Sequence, residues 1–136
     1  MWSIAVIDDE RTLRNVLYEA LSDDGAEVQC ASDGHEGRKL LESRRFDLAL
    51  IDLFLPGVPG LELAEIAMAG GTPTLMMSGH PDAVDQCGQR GLPCLIKPFR
   101  LDALTRKAEE VITNREGTLQ RARQALAKMQ VVSKWA

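Results

Sequence analysis

The sequence predicts an α/β fold: a five-stranded parallel sheet covered by helices on both faces. Two observations carry that prediction. Five short β-type runs alternate with five helix-period segments over about the first 115 residues. Most of the runs are apolar throughout and do not alternate with polar residues, which marks strands buried on both sides. Composition agrees, because 136 residues with 45% hydrophobic and 26% charged side chains make one domain with a core of its own.

Each element has a local reason. Trp2–Ile7 is apolar and partly β-branched and reads as the first strand. Arg11–Leu21 places Leu13, Val16, Leu17, Ala20 and Leu21 on one helix face, and Asp23-Asp24-Gly25 ends it. Glu27–Ala31 is a short, more polar strand expected at a sheet edge. Ser32-Asp33-Gly34 followed by Glu36 is a capping pattern for a helix reaching Ser43. Leu48–Leu53 is an apolar run interrupted only by Asp52, and Pro56-Gly57-Val58-Pro59-Gly60 is a loop. Leu61–Ala69 is helical and Gly70-Gly71 stops it. Thr74–Met77 is a buried strand, with a turn at Ser78-Gly79-His80-Pro81. Asp82–Gln89 is a short, weakly apolar helix closed by Gly91, and Leu92–Ile96 is the last strand. Lys97-Pro98 punctuates before a long final helix.

Several classes are excluded early. No run approaches the roughly 18 apolar residues of a membrane span, so no membrane association is expected. Trp2–Ile7 runs into Asp8-Asp9-Glu10 and lacks the basic start of a secretory leader. Cys30, Cys87 and Cys94 form no CxxC pair, which argues against a disulfide framework or structural zinc and for a cytoplasmic location. Aromatics at 4% leave no base-stacking platform. Charge is split: residues 1–114 hold 11 basic and 19 acidic side chains, whereas residues 115–136 hold five basic and one acidic. An acidic body suggests a cation site, and a basic tail suggests a separate role.

In a parallel α/β sheet the functional crevice lies beyond the carboxyl ends of the strands. There the first strand runs into Asp8, Asp9 and Glu10, the third ends at Asp52, the fourth runs into Ser78 and the fifth into Lys97. Grouped carboxylates repel one another, and a hard divalent cation relieves that repulsion; magnesium suits a site with few carboxylates and retained waters. Asp52, set in Leu50-Ile51-Asp52-Leu53-Phe54, is the candidate nucleophile for an acyl phosphate, with Lys97 neutralising charge and Ser78 donating a hydrogen bond. Taken singly, Asp8 and Asp9 are also ordinary helix-capping residues, Ser78 a turn residue and Lys97 a surface lysine. Their joint placement is the signal.

Val6-Ile7-Asp8-Asp9-Glu10, Leu50-Ile51-Asp52-Leu53-Phe54-Leu55-Pro56-Gly57, Met77-Ser78-Gly79 and Ile96-Lys97-Pro98-Phe99 resemble the hallmark segments of bacterial response-regulator receiver domains, in order and spacing, over Trp2–Ile112. The resemblance implies a doubly wound (βα)5 fold of the CheY-like (flavodoxin-like) type, strand order 2-1-3-4-5. It implies Asp52 as phosphoacceptor, Ser78 as switch hydroxyl and Lys97 as the active-site lysine. It also implies Mg2+ held by Asp8, Asp9, Asp52 and the Phe54 carbonyl. A sensor histidine kinase or phosphotransfer protein would be the donor. No substrate other than the chain's own aspartate would be turned over. Phe54 and His80 take the positions that control water access to the acyl phosphate, and a cis peptide is expected at Lys97-Pro98.

Three departures stand out. The family usually carries an aromatic three residues before the lysine, and here that residue is Cys94. An often acidic loop position is Pro59. No output domain follows the final receiver helix, which points to a single-domain regulator acting by protein–protein contact. The alternative is a pseudo-receiver that binds constitutively without switching. Nucleotide or flavin binding is disfavoured because Asp-Asp-Glu replaces a glycine-rich turn after the first strand. A haloacid-dehalogenase-type phosphatase would need a second acid where Asp52-Leu53-Phe54 has Phe54.

The division expected is a receiver over residues 1–113 and a basic helical tail over residues 114–136. Ala108, Ile112, Arg115, Leu119, Ala122, Leu126 and Met129 form a heptad-like stripe in register with the final receiver helix. The preferred expectation is a tail that projects and mediates a homodimer or kinase docking, with Trp135 as an anchor and Gly117 as its weak point. A helix folded back on its own receiver is the alternative. DNA binding is disfavoured, since five basic residues without a fold give only weak, salt-sensitive affinity.

Overall fold

Strands and helices alternate from Ser3 onward. The computed structural model describes the backbone of residues 1–135 and the side chains of residues 1–129. The order is β1 (Ser3–Ile7), α1 (Arg11–Asp23), β2 (Glu27–Ala31), α2 (Gly34–Ser43), β3 (Leu48–Asp52), α3 (Gly60–Ala69), β4 (Thr74–Ser78), α4 (Ala83–Gln89), β5 (Cys94–Ile96), α5 (Leu101–Thr113) and α6 (Arg115–Trp135). The five strands are parallel in the order β2-β1-β3-β4-β5. β2 is an edge strand, as its polar sequence suggests. β5 begins at Cys94 and not at Leu92, because the Leu92 amide turns back to the Cys87 carbonyl at 2.9 Å and Pro93 has no amide to give a ladder. The cap of α2 forms as its sequence dictates: Asp33 accepts the Glu36 amide, and the Glu36 carboxylate accepts the Ser32 amide, both at 2.8 Å.

The pleat divides the core into two layers. Ile4, Val6, Leu48, Leu50, Leu75 and Met77 face α1 and α5, meeting Leu17, Leu21, Leu104 and Val111. Ala5, Ile7, Ala49, Ile51 and Met76 face α2, α3 and α4, meeting Leu41, Leu63, Ala67 and Cys87. Full burial of side chains such as Leu104 and Leu63 stabilises the fold by about 1.5–3 kcal/mol each. With β3 and β4 buried along their whole length, the ends of these strands are fixed in place.

The tail corrects the expectation of a projecting extension. α5 stops at Thr113, Asn114 leaves helical geometry (φ −105°, ψ 43°), and α6 folds back over the face opposite to that of α5. The break falls at Asn114 and not at Gly117, which lies inside α6. Leu119 and Ala122 are buried in the layer of α3 and α4, with Leu126 beside them. α4 has only seven residues, and α6 lies across the groove between α3 and the turn that follows α4. Arg115, which interrupts the apolar stripe, donates from Nε and Nη2 to the Gly71 carbonyl at 3.2 and 2.7 Å. Arg123 donates to the Met68 carbonyl at 3.4 Å. Both guanidinium groups therefore sit at the C-terminal end of α3, where cations are favoured. Among the described residues no ion pair links the tail to the body, so the basic tail meets carbonyls and not the body's carboxylates. The stripe serves the receiver's own core. Trp135 lies outside the described side chains.

Candidate functional site

Asp8 follows β1 directly, Asp52 and Ser78 end β3 and β4, and Lys97 follows β5. Strand register sets Asp52 beside Met77, the residue before Ser78. The expected residues are thus brought to one edge of the sheet. Asp8 is fully buried: one carboxylate oxygen accepts the Glu10 amide at 2.8 Å and the other accepts Lys97 Nζ at 2.7 Å. Lys97 Nζ also lies 3.5 Å from Asp52 Oδ2, while Asp52 Oδ1 faces the Phe54 amide at 3.4 Å. Asp9 is exposed, and Asp8, Asp9 and Asp52 each present an oxygen within 4.8 Å of the others. The peptide Lys97-Pro98 is cis.

Three carboxylates thus face one ammonium. Burial pushes the Asp52 carboxyl up to about 6, and the Asp8 charge adds to the rise; Lys97 and the Phe54 amide offset only part of it. Burial alone would pull Lys97 down, but the Asp8 hydrogen bond and the Asp52 charge outweigh it and the net shift is upward. The result is an acidic cleft with an excess of negative charge and free carboxylate oxygens at its mouth. That donor set fits a hard divalent cation.

Ser78 is buried, and its Oγ accepts the His80 amide at 3.0 Å. His80 and Phe54 meet edge to face with ring centroids 5.4 Å apart, so these two sequence-predicted residues form one aromatic rim. Cys94 stands half-buried where an aromatic was expected from the resemblance. Its thiol donates to the Leu95 carbonyl at 3.8 Å, and the nearby Cys94 thiol together with burial pushes the Cys87 thiol up.

Two supports escaped the sequence reading. Arg14 Nη1 donates to the Asp8 carbonyl at 2.9 Å and fixes the β1–α1 turn. Gly60 lets α3 start against the Asp52 and Leu53 carbonyls, where a Cβ would overlap backbone. The Pro59-Gly60 pair signalled only a turn; the close approach depends on tertiary packing.

A parallel sheet of this order with an aspartate cluster, a hydroxyl and a lysine at its carboxyl edge defines a receiver-type module. The family described as response regulator receiver domain matches residues 4–109, and the chain belongs to it. A transcriptional regulatory protein of Streptomyces coelicolor, AfsQ1, is 33% identical over 86 residues, covering 62% of this chain and 38% of its own. The two-component response regulator PhoP of Pseudomonas aeruginosa is 29% identical over 122 residues, covering 86% of this chain and 54% of its own. The chain therefore spans about half or less of these relatives' length. Among solved structures, a CheY-like receiver domain protein of Methanospirillum hungatei superposes with TM-score 0.78 at 27% identity, over 86% of this chain and 98% of that one. The response regulator TrrA of Thermotoga maritima, solved in complex with Mg(2+)-BeF, superposes with TM-score 0.74 at 29% identity, over 82% and 99% of the two chains. No helix among the described residues is long and apolar enough to cross a membrane.

Proposed function

We propose that the protein is a phosphoacceptor response regulator: Asp52 takes a phosphoryl group from a histidine kinase or phosphotransfer protein, and the acyl phosphate changes its protein contacts. The observation that supports this most is Asp52 itself, a carboxylate in the buried end of β3, held between Asp8, Asp9 and Lys97. The chemistry is one displacement. A carboxylate oxygen of Asp52 attacks phosphorus, the bond from phosphorus to the donor's imidazole nitrogen breaks, and the electron pair leaves with the imidazole. Lys97 balances charge on the phosphoryl oxygens, and Ser78 supplies a hydroxyl donor beside them. Asp8, Asp9 and Asp52, with the Phe54 carbonyl, would hold Mg2+, which when bound screens the carboxylates and the incoming phosphoryl oxygens. The tail contributes to this reading as part of the receiver. A homodimer through a projecting tail is not proposed, because Leu119 and Ala122 of its stripe are buried within the chain.

The cation site carries its own test. Asp52 must be ionised to serve as a ligand, so apparent Mg2+ affinity should be constant well above pH 6 and fall up to about tenfold per pH unit below it. Calorimetric titrations at a series of pH values measure this, with Asp9→Ala weakening binding far more than Glu10→Ala. A flat pH profile or equal effects of the two variants would reject this ligand set.

The aromatic rim sets the lifetime of the acyl phosphate. Phe54, whose amide faces Asp52, meets His80 edge to face, and in this reading the pair screens Asp52 from an attacking water. Phe54→Ala and His80→Ala should each speed dephosphorylation severalfold after the donor is removed. Unchanged half-lives in both variants would show that the rim does not gate water. Magnesium-dependent labelling of the wild type by acetyl phosphate tests the proposal as a whole, and a chain that binds its partners but takes no label would be a pseudo-receiver.

A further inference from the structure

The turn that follows α4 meets α6 at backbone level. Gly91, which closes α4, adopts φ +66°, and a Cβ there would overlap the Arg121 carbonyl of α6. The α4–β5 turn and α6 therefore touch without a side chain between them, and one cannot shift far without the other. Arg90 in the same turn reaches Glu65 of α3 at 3.2 Å, and Leu92 packs beneath Ala122 and Leu126. The far end of α4 is tied to the candidate phosphorylation site. The His80 amide donates to Ser78 Oγ at 3.0 Å, the Asp82 amide donates to His80 Nδ1 at 3.2 Å, and the Ala83 amide donates to the His80 carbonyl at 3.1 Å. A short helix held in this way at both ends transmits displacement as a rigid rod. Ser78, His80, α4, Gly91 and α6 form one mechanical series.

A phosphoryl group on Asp52 would add negative charge and three acceptor oxygens next to Ser78. Ser78 carries the buried hydroxyl at this end of β4, and turning it toward those oxygens pulls on the His80 amide and on the start of α4. α6 is the element least able to follow. Leu119 and Ala122 bury its second and third turns, while its first turn hangs on the two bonds from Arg115 to the Gly71 carbonyl.

We propose that α6 is a strap set by the phosphorylation state: it docks in the groove between α3 and α4 when Asp52 is free and is released when Asp52 carries a phosphoryl group. The inference rests on the phosphoacceptor reading above. Release bares the apolar stripe of Leu119, Ala122 and Leu126, which supplies an output where Cys94 replaces an aromatic switch. Coupling between two sites is reciprocal, so loosening α6 must tighten binding of a phosphoryl mimic by the same factor that the mimic loosens α6.

The test uses the full chain, Mg2+ and beryllofluoride, with hydrogen exchange as the readout. Amides of residues 115–129 should exchange about tenfold faster once beryllofluoride is bound. Arg115→Ala, which removes both bonds to Gly71 and touches nothing at the phosphoryl site, should bind beryllofluoride severalfold more tightly than wild type. Ala122→Glu should do so more strongly, and Arg115→Ala keeps the test valid if that variant misfolds. Protection of the Phe54 amide with unchanged or slower exchange in α6 would overturn the strap and leave the receiver reading intact. Unchanged or weaker beryllofluoride binding by Arg115→Ala would overturn it as well. No protection at Phe54 in any chain would instead bring down the phosphoacceptor reading, and the strap with it.

Discussion

Asp52→Asn should take up no phosphoryl group from acetyl phosphate in Mg2+, and it should nevertheless be more stable than wild type in Mg2+-free buffer at pH 8, by on the order of 2 kcal/mol. Both effects follow from where the carboxylate sits. Its charge is the nucleophile, so an amide ends the chemistry. The same charge is held in a buried site beside Asp8, which raises its carboxyl from 3.8 to about 6. A carboxylate whose folded pKa is raised costs nothing below its unfolded value. The cost grows from pH 3.8 to about 6 and is complete above that. The stability gain of Asp52→Asn should therefore vanish near pH 4. It should also shrink or reverse when Mg2+ is added, since only wild type offers the third carboxylate. Denaturant unfolding at the two pH values, with and without the ion, measures it. Labelling at wild-type level, or a loss of stability at pH 8, would contradict the assignment.

Lys97→Met should show the opposite stability effect and nearly the same loss of function. Among the described residues Lys97 is the one ammonium against Asp8 and Asp52, with Nζ 2.7 Å from a fully buried Asp8 carboxylate. Removing one partner of a buried ion pair leaves an uncompensated charge, which costs about 3 kcal/mol or more. In Mg2+-free buffer at pH 8 the variant should melt well below wild type. Mg2+ should restore much of the loss by replacing the missing charge, and acidification below pH 6 should do so by protonating Asp52. Phosphoryl uptake should stay depressed by about 100-fold even with saturating Mg2+, because the ammonium no longer faces the transferring group. A variant as stable as wild type without the ion, or one that labels normally, would show that Lys97 is only a surface lysine.

Much of the site was legible because a parallel α/β sheet writes its chemistry at one end of apolar runs. Asp52 stands out in Leu50-Ile51-Asp52-Leu53, and Asp8, Ser78 and Lys97 fall at the matching ends of three other strands. Strand order was not in the periodicity and came only with the family resemblance. The direction of the tail was not legible either. Leu119, Ala122, Leu126 and Met129 have the same spacing whether they meet a second chain or their own receiver. What decides between these is a turn at Asn114 that no local pattern announces, together with the groove between α3 and the turn that follows α4. Arg115 looked like a flaw in the stripe; it is the side chain that hooks the Gly71 carbonyl. The backbone contact of Gly91 with Arg121 joins residues thirty apart in sequence and has no signature in either segment.

The central claim is that Asp52, and no other residue, becomes an acyl phosphate. The direct measurement is peptide mapping of the wild-type chain after incubation with acetyl phosphate and Mg2+, followed by hydroxylamine treatment. The account predicts a single hydroxylamine-labile phosphoryl group on Asp52, absent when the ion is chelated. A label on Ser78 or on another carboxylate, or a hydroxylamine-resistant label that forms without Mg2+, would contradict it.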